Sequence, residues 1–113
     1  MRRLRKRREF LFVRKGRKAS RPAVTVEARR RAPDGPAGAG FTATKRLGGA
    51  VIRNRARRRL KEAARQLLPG LALAGVDYVF VARPAALICP WPALLDDVRN
   101  ALLRLRADLG AKG

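Results

Sequence analysis

The spacing of apolar positions along the 113-residue chain changes period several times, and each change marks an element. Glu9, Phe10, Leu11, Phe12 and Val13 follow a nearly all-basic stretch, residues 1–8, and predict one or two helical turns ending near Gly16. Beyond Arg21-Pro22, the run Ala23 to Ala28 alternates apolar and polar side chains, as a half-buried strand does. Residues 30–40 contain Pro33-Asp34-Gly35-Pro36 and read as turn chemistry. Gly40 to Thr44 then reads as the returning strand, so a hairpin with a long flexible loop is expected.

Gly48-Gly49 stops that strand, and helical periodicity runs from Ala50 to Leu68, with Pro69-Gly70 closing it. At about 100° per residue, Ile52, Ala56, Leu60, Ala63 and Leu67 fall within an arc of roughly 80° and form the expected buried stripe. The opposite side carries Arg53, Asn54, Arg57, Arg58, Lys61 and Arg65, with Arg55 and Arg59 nearer the edge of the stripe. Val76 to Ala82 is an almost unbroken apolar run with the length and β-branched content of a central strand, ended by Arg83-Pro84. From Trp91-Pro92 to about Leu109, Leu94, Leu95, Val98, Ala101, Leu102, Leu105 and Leu109 describe a last amphipathic helix whose outward charges nearly cancel. The order helix-strand-strand-strand-helix-strand-helix predicts an α/β fold, a two-layer sandwich with a sheet of about four strands. A single domain over 1–113 is expected, with a tail at 110–113.

Charge changes this picture from fold to partner. Lys and Arg number 28 against 8 Asp and Glu, a net charge of +20. Residues 1–61 hold 22 of the basic and 3 of the acidic side chains, so the first half carries the electrostatic surface and the second supplies packing. Self-repulsion of that size points to a polyanion partner, and nucleic acid is the commonest one. Arg outnumbers Lys 22 to 6, which favours bidentate phosphate contacts, although a GC-rich genome raises Arg as well. With no His and a single Cys, Cys89, imidazole acid-base chemistry, Cys/His nucleophiles, internal disulfides and zinc clusters are excluded. Cys89 reads as a small apolar filler. No run of apolar residues has the length of a signal peptide core or a membrane span, and a cytoplasmic location is expected.

The stretch that carries chemistry is Lys45 to Arg65, KRLGGAVIRNRARRRLKEAAR, a Gly-Gly turn feeding a helix with a dense ribbon of guanidinium groups. Like charges meet at spacings of three and four residues, at a cost of about 0.2–0.5 kcal/mol per pair in an isolated helix. Charge runs are usually solvated faces. Here the run is one-sided and almost unrelieved, with Glu62 alone interleaved, so an anion is expected to lie against it.

The segment Gly40 to Arg65, GFTATKRLGGAVIRNRARRRLKEAAR, resembles the signature of the bacterial ribonuclease P protein component, with Arg53-Asn54-Arg55 as its Arg-Asn-Arg motif. EFLFVRKGRK is similar to that family's opening helix, one residue shorter, and DYVFVARP to its fourth strand. Gly49 stands where the family commonly has Asn, which would loosen the helix start. The resemblance implies a protein subunit that binds a catalytic RNA and the 5′ leader of precursor tRNA, promoting endonucleolytic removal of the leader. It implies that the RNA performs the hydrolysis with Mg2+ held mainly by the RNA, so no catalytic or metal-ligating residue is expected in the protein. Lys45, Arg46, Arg53, Asn54, Arg55, Arg57, Arg58, Lys61 and Arg65 are the implied RNA-binding residues. Phe10, Arg14, Thr42 and Thr44 are implied to line a leader cleft, with Phe10 stacking on a base and Phe12 and Val13 in the core. Asn54 is expected either to orient a neighbouring Arg or phosphate, or to help start the helix. The alternative reading is a structural RNA-binding protein, of small ribosomal or RNA-chaperone type, with no part in cleavage. A polybasic membrane-surface protein fits poorly, because the basic helix has no large aromatic residues on its other face.

Overall fold

In the computed structural model, which describes residues 1–110, the apolar run Val76–Ala82 lies at the centre of a five-stranded sheet. The elements in chain order are β1 (Arg2–Arg3), α1 (Arg7–Arg14), β2 (Arg17–Ser20), β3 (Val24–Arg30), β4 (Gly38–Thr42), α2 (Ala50–Leu71), β5 (Val76–Ala82) and α3 (Trp91–Gly110). Short 3-10 turns at Lys45–Leu47 and Pro84–Leu87 precede α2 and α3. The sheet order is β1-β4-β5-β3-β2, with β5 antiparallel to β3 and parallel to β4. The α/β class and the order of the helices and longer strands follow the sequence pattern, and the topology differs from it in three ways.

The expected hairpin between β3 and β4 does not form. A strand that is apolar on both faces must be covered on both and bonded along both edges, and β5 meets that need by sitting between β3 and β4. The connection 31–37 therefore crosses the end of β5 and is tied to it. Arg31 and Ala32 donate their N–H groups to Gly75 O at 2.7 and 3.1 Å, and Gly75 N–H donates to Gly35 O at 2.9 Å. Gly75 has φ 73°, and a Cβ there would lie 2.0 Å from Ala32 O, so glycine is required. The hairpin instead joins β2 to β3, two strands of which the sequence pattern had marked only the second.

The second difference is layering. Along β5, Val76, Tyr78, Phe80 and Ala82 turn toward α2 and α3, while Val79 and Val81 turn toward α1, so helices flank the sheet on both faces rather than one. Leu60, Leu68, Leu94, Leu102 and Leu105 are fully buried in the larger core, and each contributes about 1.5–3 kcal/mol of burial. Leu4 and Val13 pack with Val79 in the smaller one.

The third is the N-terminus. Within the basic stretch 1–8, Arg2 and Arg3 form an edge strand parallel to β4, and Arg7 and Arg8 already belong to α1. Asp77, 2% exposed on the α1 face of β5, anchors this edge by pairing with Arg31 at 3.1 Å and Arg2 at 3.6 Å.

Within α2 the buried arc is wider than the predicted stripe and turned toward Ala64 and Leu68. Leu67 is half-buried and Ile52 is 43% exposed, while Ala64 and Leu68 take buried places in the main core. The helix also runs through Pro69. That residue lacks the N–H that would bond Arg65, but Ala72 N–H reaches Leu68 O at 2.8 Å and closes the final turn. Of the tail expected at 110–113, Gly110 ends α3, and 111–113 lie outside the described residues. No helix among the described residues is long and apolar enough to cross a membrane.

Candidate nucleic-acid interface

The start of α2 has no side-chain cap. Gly49 is its N-cap residue and no acid lies in the first turn, so the exposed N–H groups and the positive end of the helix dipole add to the charge of Lys45, Arg46 and Arg53. Gly48, with φ 144°, sets the turn into the helix, and its Cα packs under Ile52. Gly49 in the position of a capping Asn thus leaves the helix start where the sequence predicts it, at Ala50.

Along the helix the arginines divide into different kinds. Arg57 donates to Asn54 Oδ1, so Asn54 orients a neighbouring guanidinium, one of the two roles expected of it. Arg57 and Arg53 are half-buried by the turned arc, while Asn54, Arg55, Arg58 and Lys61 are exposed. Arg65 forms a two-pronged pair with Glu62 at 2.6 and 2.8 Å, which lowers the pKa of the Glu62 carboxyl and raises that of the guanidinium. Arg59 faces inward. It donates to Ala86 O at 2.6 Å and Cys89 O at 2.8 Å, with its guanidinium 6.0 Å from the Trp91 ring centre, and ties α2 to the turn before α3. Cys89 is half-buried against the main core, as a filler would be.

Two grooves open beside this face. One, of about 400 Å³, is walled by Asn54, Arg57, Arg58 and Lys61 of α2 and by Arg3, Leu4, Phe10 and Phe41. The other, of about 370 Å³, lies between α1 and the sheet, with Arg7, Phe10 and Arg14 on the helix side and Glu27, Thr42, Thr44, Val79 and Val81 beneath. Phe10 and Phe41 line both, so the grooves adjoin at these two side chains. Phe41 is fixed by stacking on Phe80, centroids 5.1 Å apart. The expected cleft residues Phe10, Arg14, Thr42 and Thr44 are all brought together, and Thr42 shares the strand face of Gly40, over which Phe10 sits. Lys45, Arg46, Arg53 and Arg55 lie outside both grooves. Arg65 borders a smaller hollow beside Arg2 and Arg3. Val13 is fully buried as expected, and half-buried Phe12 carries Arg29 4.1 Å above its ring.

Sequence reasoning missed Arg7 and Glu27. Arg7 lies three residues before Phe10 and seven before Arg14, the spacing of one helix face, so it was legible. Glu27, 8% exposed and 3.8 Å from Lys18, puts a carboxylate on the floor of a cationic cleft, and only the fold places it there. Helix α1 is held at its start by Glu9, whose carboxylate accepts the N–H groups of Arg5 and Lys6 at 2.9 and 2.8 Å and pairs with Arg2. Those backbone donors, followed by the nearby Arg2 and Lys6 charges, pull the Glu9 pKa below its ordinary value.

The chain has no imidazole, and the two grooves are lined mainly by cationic and aromatic side chains, with the Thr42 and Thr44 hydroxyls and the Glu27 carboxylate beneath. Among the described residues no three metal-ligating side chains gather, and Glu9, Glu62 and Asp77 are each engaged by arginine. These residues do not fit a protein-held Mg2+.

Comparison with known proteins agrees along nearly the whole chain. The family model described as Ribonuclease P matches residues 1–106. The ribonuclease P protein component of Caulobacter vibrioides is 53% identical over 112 residues, covering 98% of this chain and 75% of that protein. That of Ruegeria pomeroyi is 45% identical over 107 residues, covering 92% and 86%. Among solved structures, the ribonuclease P protein of Thermotoga maritima superposes with a TM-score of 0.77 at 25% identity, covering 92% of this chain and 97% of that one. That of Staphylococcus aureus gives a TM-score of 0.77 at 20% identity, a likeness of fold, covering 92% and 94%.

Proposed function

This chain belongs to the bacterial ribonuclease P protein family, as the protein subunit of that enzyme, and on that premise we propose how its two grooves divide the work. The basic face of α2 docks on the RNA subunit, and the cleft between α1 and the sheet takes the 5′ leader of precursor tRNA. The observation that carries this reading is that the two grooves adjoin at Phe10 and Phe41, because a strand held in the cleft then lies beside RNA docked on α2.

The protein's share of cleavage is positional. Arg57, Arg58 and Lys61 neutralise phosphates of the RNA subunit, with Asn54 fixing the Arg57 fork for bidentate contact. In the cleft the Phe10 ring offers a stacking platform, Thr42 and Thr44 offer hydroxyls, and Arg7 and Arg14 face the leader backbone. Base-aromatic stacking of this kind contributes about 1–3 kcal/mol per base. Hydrolysis is left to the RNA and to the Mg2+ it holds, and the protein raises the fraction of precursor seated for it.

Reconstitution tests the reading. Mixed with ribonuclease P RNA at low Mg2+, the protein is expected to restore removal of the leader, and to tighten binding of a precursor carrying a leader over that of mature tRNA. Restored cleavage without that preference would overturn the cleft assignment. No restoration would overturn the division of work as a whole.

A further inference from the structure

Lys15, Arg17, Arg29 and Arg30 gather round a further hollow of about 370 Å³ at the C-terminal end of α1, outside both grooves. Gly16 builds it. A Cβ at Gly16 would lie 2.2 Å from Ala28 O, so only glycine lets the junction of α1 and β2 press onto β3, and this brings Lys15 and Arg17 beside Arg29 and Arg30. The charges arrive from both faces of the sheet. Arg17 and Arg30 share the strand phase of Ala19 and Ala28, which turn toward α3, and Arg29 shares the phase of Glu27.

No acidic side chain lines the hollow, and among the described residues Lys15 and Arg17 make no ion pair. Arg29 and Arg30 each give a nitrogen to a backbone carbonyl, Phe12 O at 3.1 Å and Ala74 O at 3.0 Å. Each guanidinium has several donors left, and the Phe12 ring holds Arg29 in place. Four like charges so placed repel one another, and an anion with several oxygens relieves them.

Position decides which anion. The cleft and the hollow meet at the last turn of α1, where Arg14 lines the first and Lys15 the second. On β3, Glu27 borders the cleft and Arg29, two residues on and about 7 Å away, borders the hollow. The basic face of α2 instead borders the β1–β4 edge, four strand spacings or about 19 Å from β2. A strand leaving the cleft past α1 reaches the hollow directly, whereas RNA docked on α2 is separated from it by the width of the sheet.

Resting on the assignment of the cleft to the leader, we infer that Lys15, Arg17, Arg29 and Arg30 form a second phosphate site for leader nucleotides beyond those held in the cleft. The test uses the holoenzyme and precursors with leaders of about 4 and about 12 nucleotides, both within the range of single-strand site sizes. The wild type is expected to bind the long leader more tightly than the short one. In Arg17→Ala/Arg30→Ala, affinity for the long leader falls about tenfold and its salt slope flattens by about 1.4 units, as two phosphate contacts on a single strand predict. Affinity for the short leader stays unchanged. Lys15→Ala/Arg17→Ala, which leaves β3 intact, gives the same pattern and controls for folding.

Equal loss at both lengths, or none at either, overturns the second site while leaving the cleft standing. If the wild type binds mature tRNA, short-leader and long-leader precursors equally, the cleft assignment fails and takes this site with it.

Discussion

The Phe10 ring occupies the space that a side chain on Gly40 would need, since a Cβ on Gly40 would lie 2.7 Å from Phe10 Cζ and 2.8 Å from Cε2. The cleft wall is therefore set by a glycine on β4 as much as by the aromatic residue on α1. Gly40→Ala is expected to push the ring out of place, destabilising the protein by about 1–3 kcal/mol through overpacking. It should also weaken binding of leader-bearing precursor by about tenfold, with mature tRNA unaffected. Thermal unfolding and paired binding titrations check the two effects separately.

On α2, Arg57→Ala/Lys61→Ala should weaken RNA-subunit binding and flatten the slope of log affinity against log salt by about one to two units. Asn54→Ala should reproduce part of the loss without removing a charge, because it frees the Arg57 fork that Asn54 Oδ1 holds. Its salt slope is expected to stay near that of the wild type. An unchanged slope in the double variant would place phosphate binding on another face.

Arg59 is expected to behave unlike its neighbours despite its place in the run Arg57-Arg58-Arg59. Its guanidinium is spent on Ala86 O and Cys89 O. Arg59→Ala leaves two carbonyls unpaired and should cost about 1–3 kcal/mol of stability, a fall in Tm of several degrees or more, with little change in RNA affinity. Exposed Arg58, replaced in the same way, should show the reverse. Calorimetry beside RNA titration separates them.

Glu9 links the opening helix to pH. Its pKa in the folded protein lies below the ordinary 4.5, so its contribution is fully present above that value and is lost as pH falls through the folded pKa. Glu9→Gln should therefore unfold at a lower temperature than the wild type at pH 7, and the gap should close on acidification below about 4.5. A gap that persists unchanged in acid would mean the carboxylate does not cap α1. Unfolding curves at a series of pH values measure this directly.

Several elements could be read from the sequence because their signals are local. The 3.6-residue period placed α3 and the start of α2, and alternation placed β3; Thr42 faces the cleft from the end of β4, whereas Thr44, expected on the same strand, reaches the cleft from beyond it, as the residue that leads into the turn Lys45–Leu47. The helical face shared by Phe10 and Arg14 also contained Arg7. The charge of Lys45 to Arg65 identified the helix that walls the first groove, although Arg59 and Arg65 turn out to be engaged within the protein. Strand β1 escaped because two arginines carry no β signal, and they pair only because β4 offers an open edge.

By itself the sequence determined that this chain forms an α/β fold with a strongly basic helix, because helical period, strand alternation and charge are properties of neighbouring residues. Only the tertiary structure decided that β5 enters between β3 and β4, since that depends on which strand must be covered on both faces. The same long-range packing put Phe10 over Gly40, set the two grooves side by side, and placed Glu27 and the second basic hollow at either side of the end of α1. Each of those juxtapositions joins residues far apart in the chain, and no local pattern encodes them.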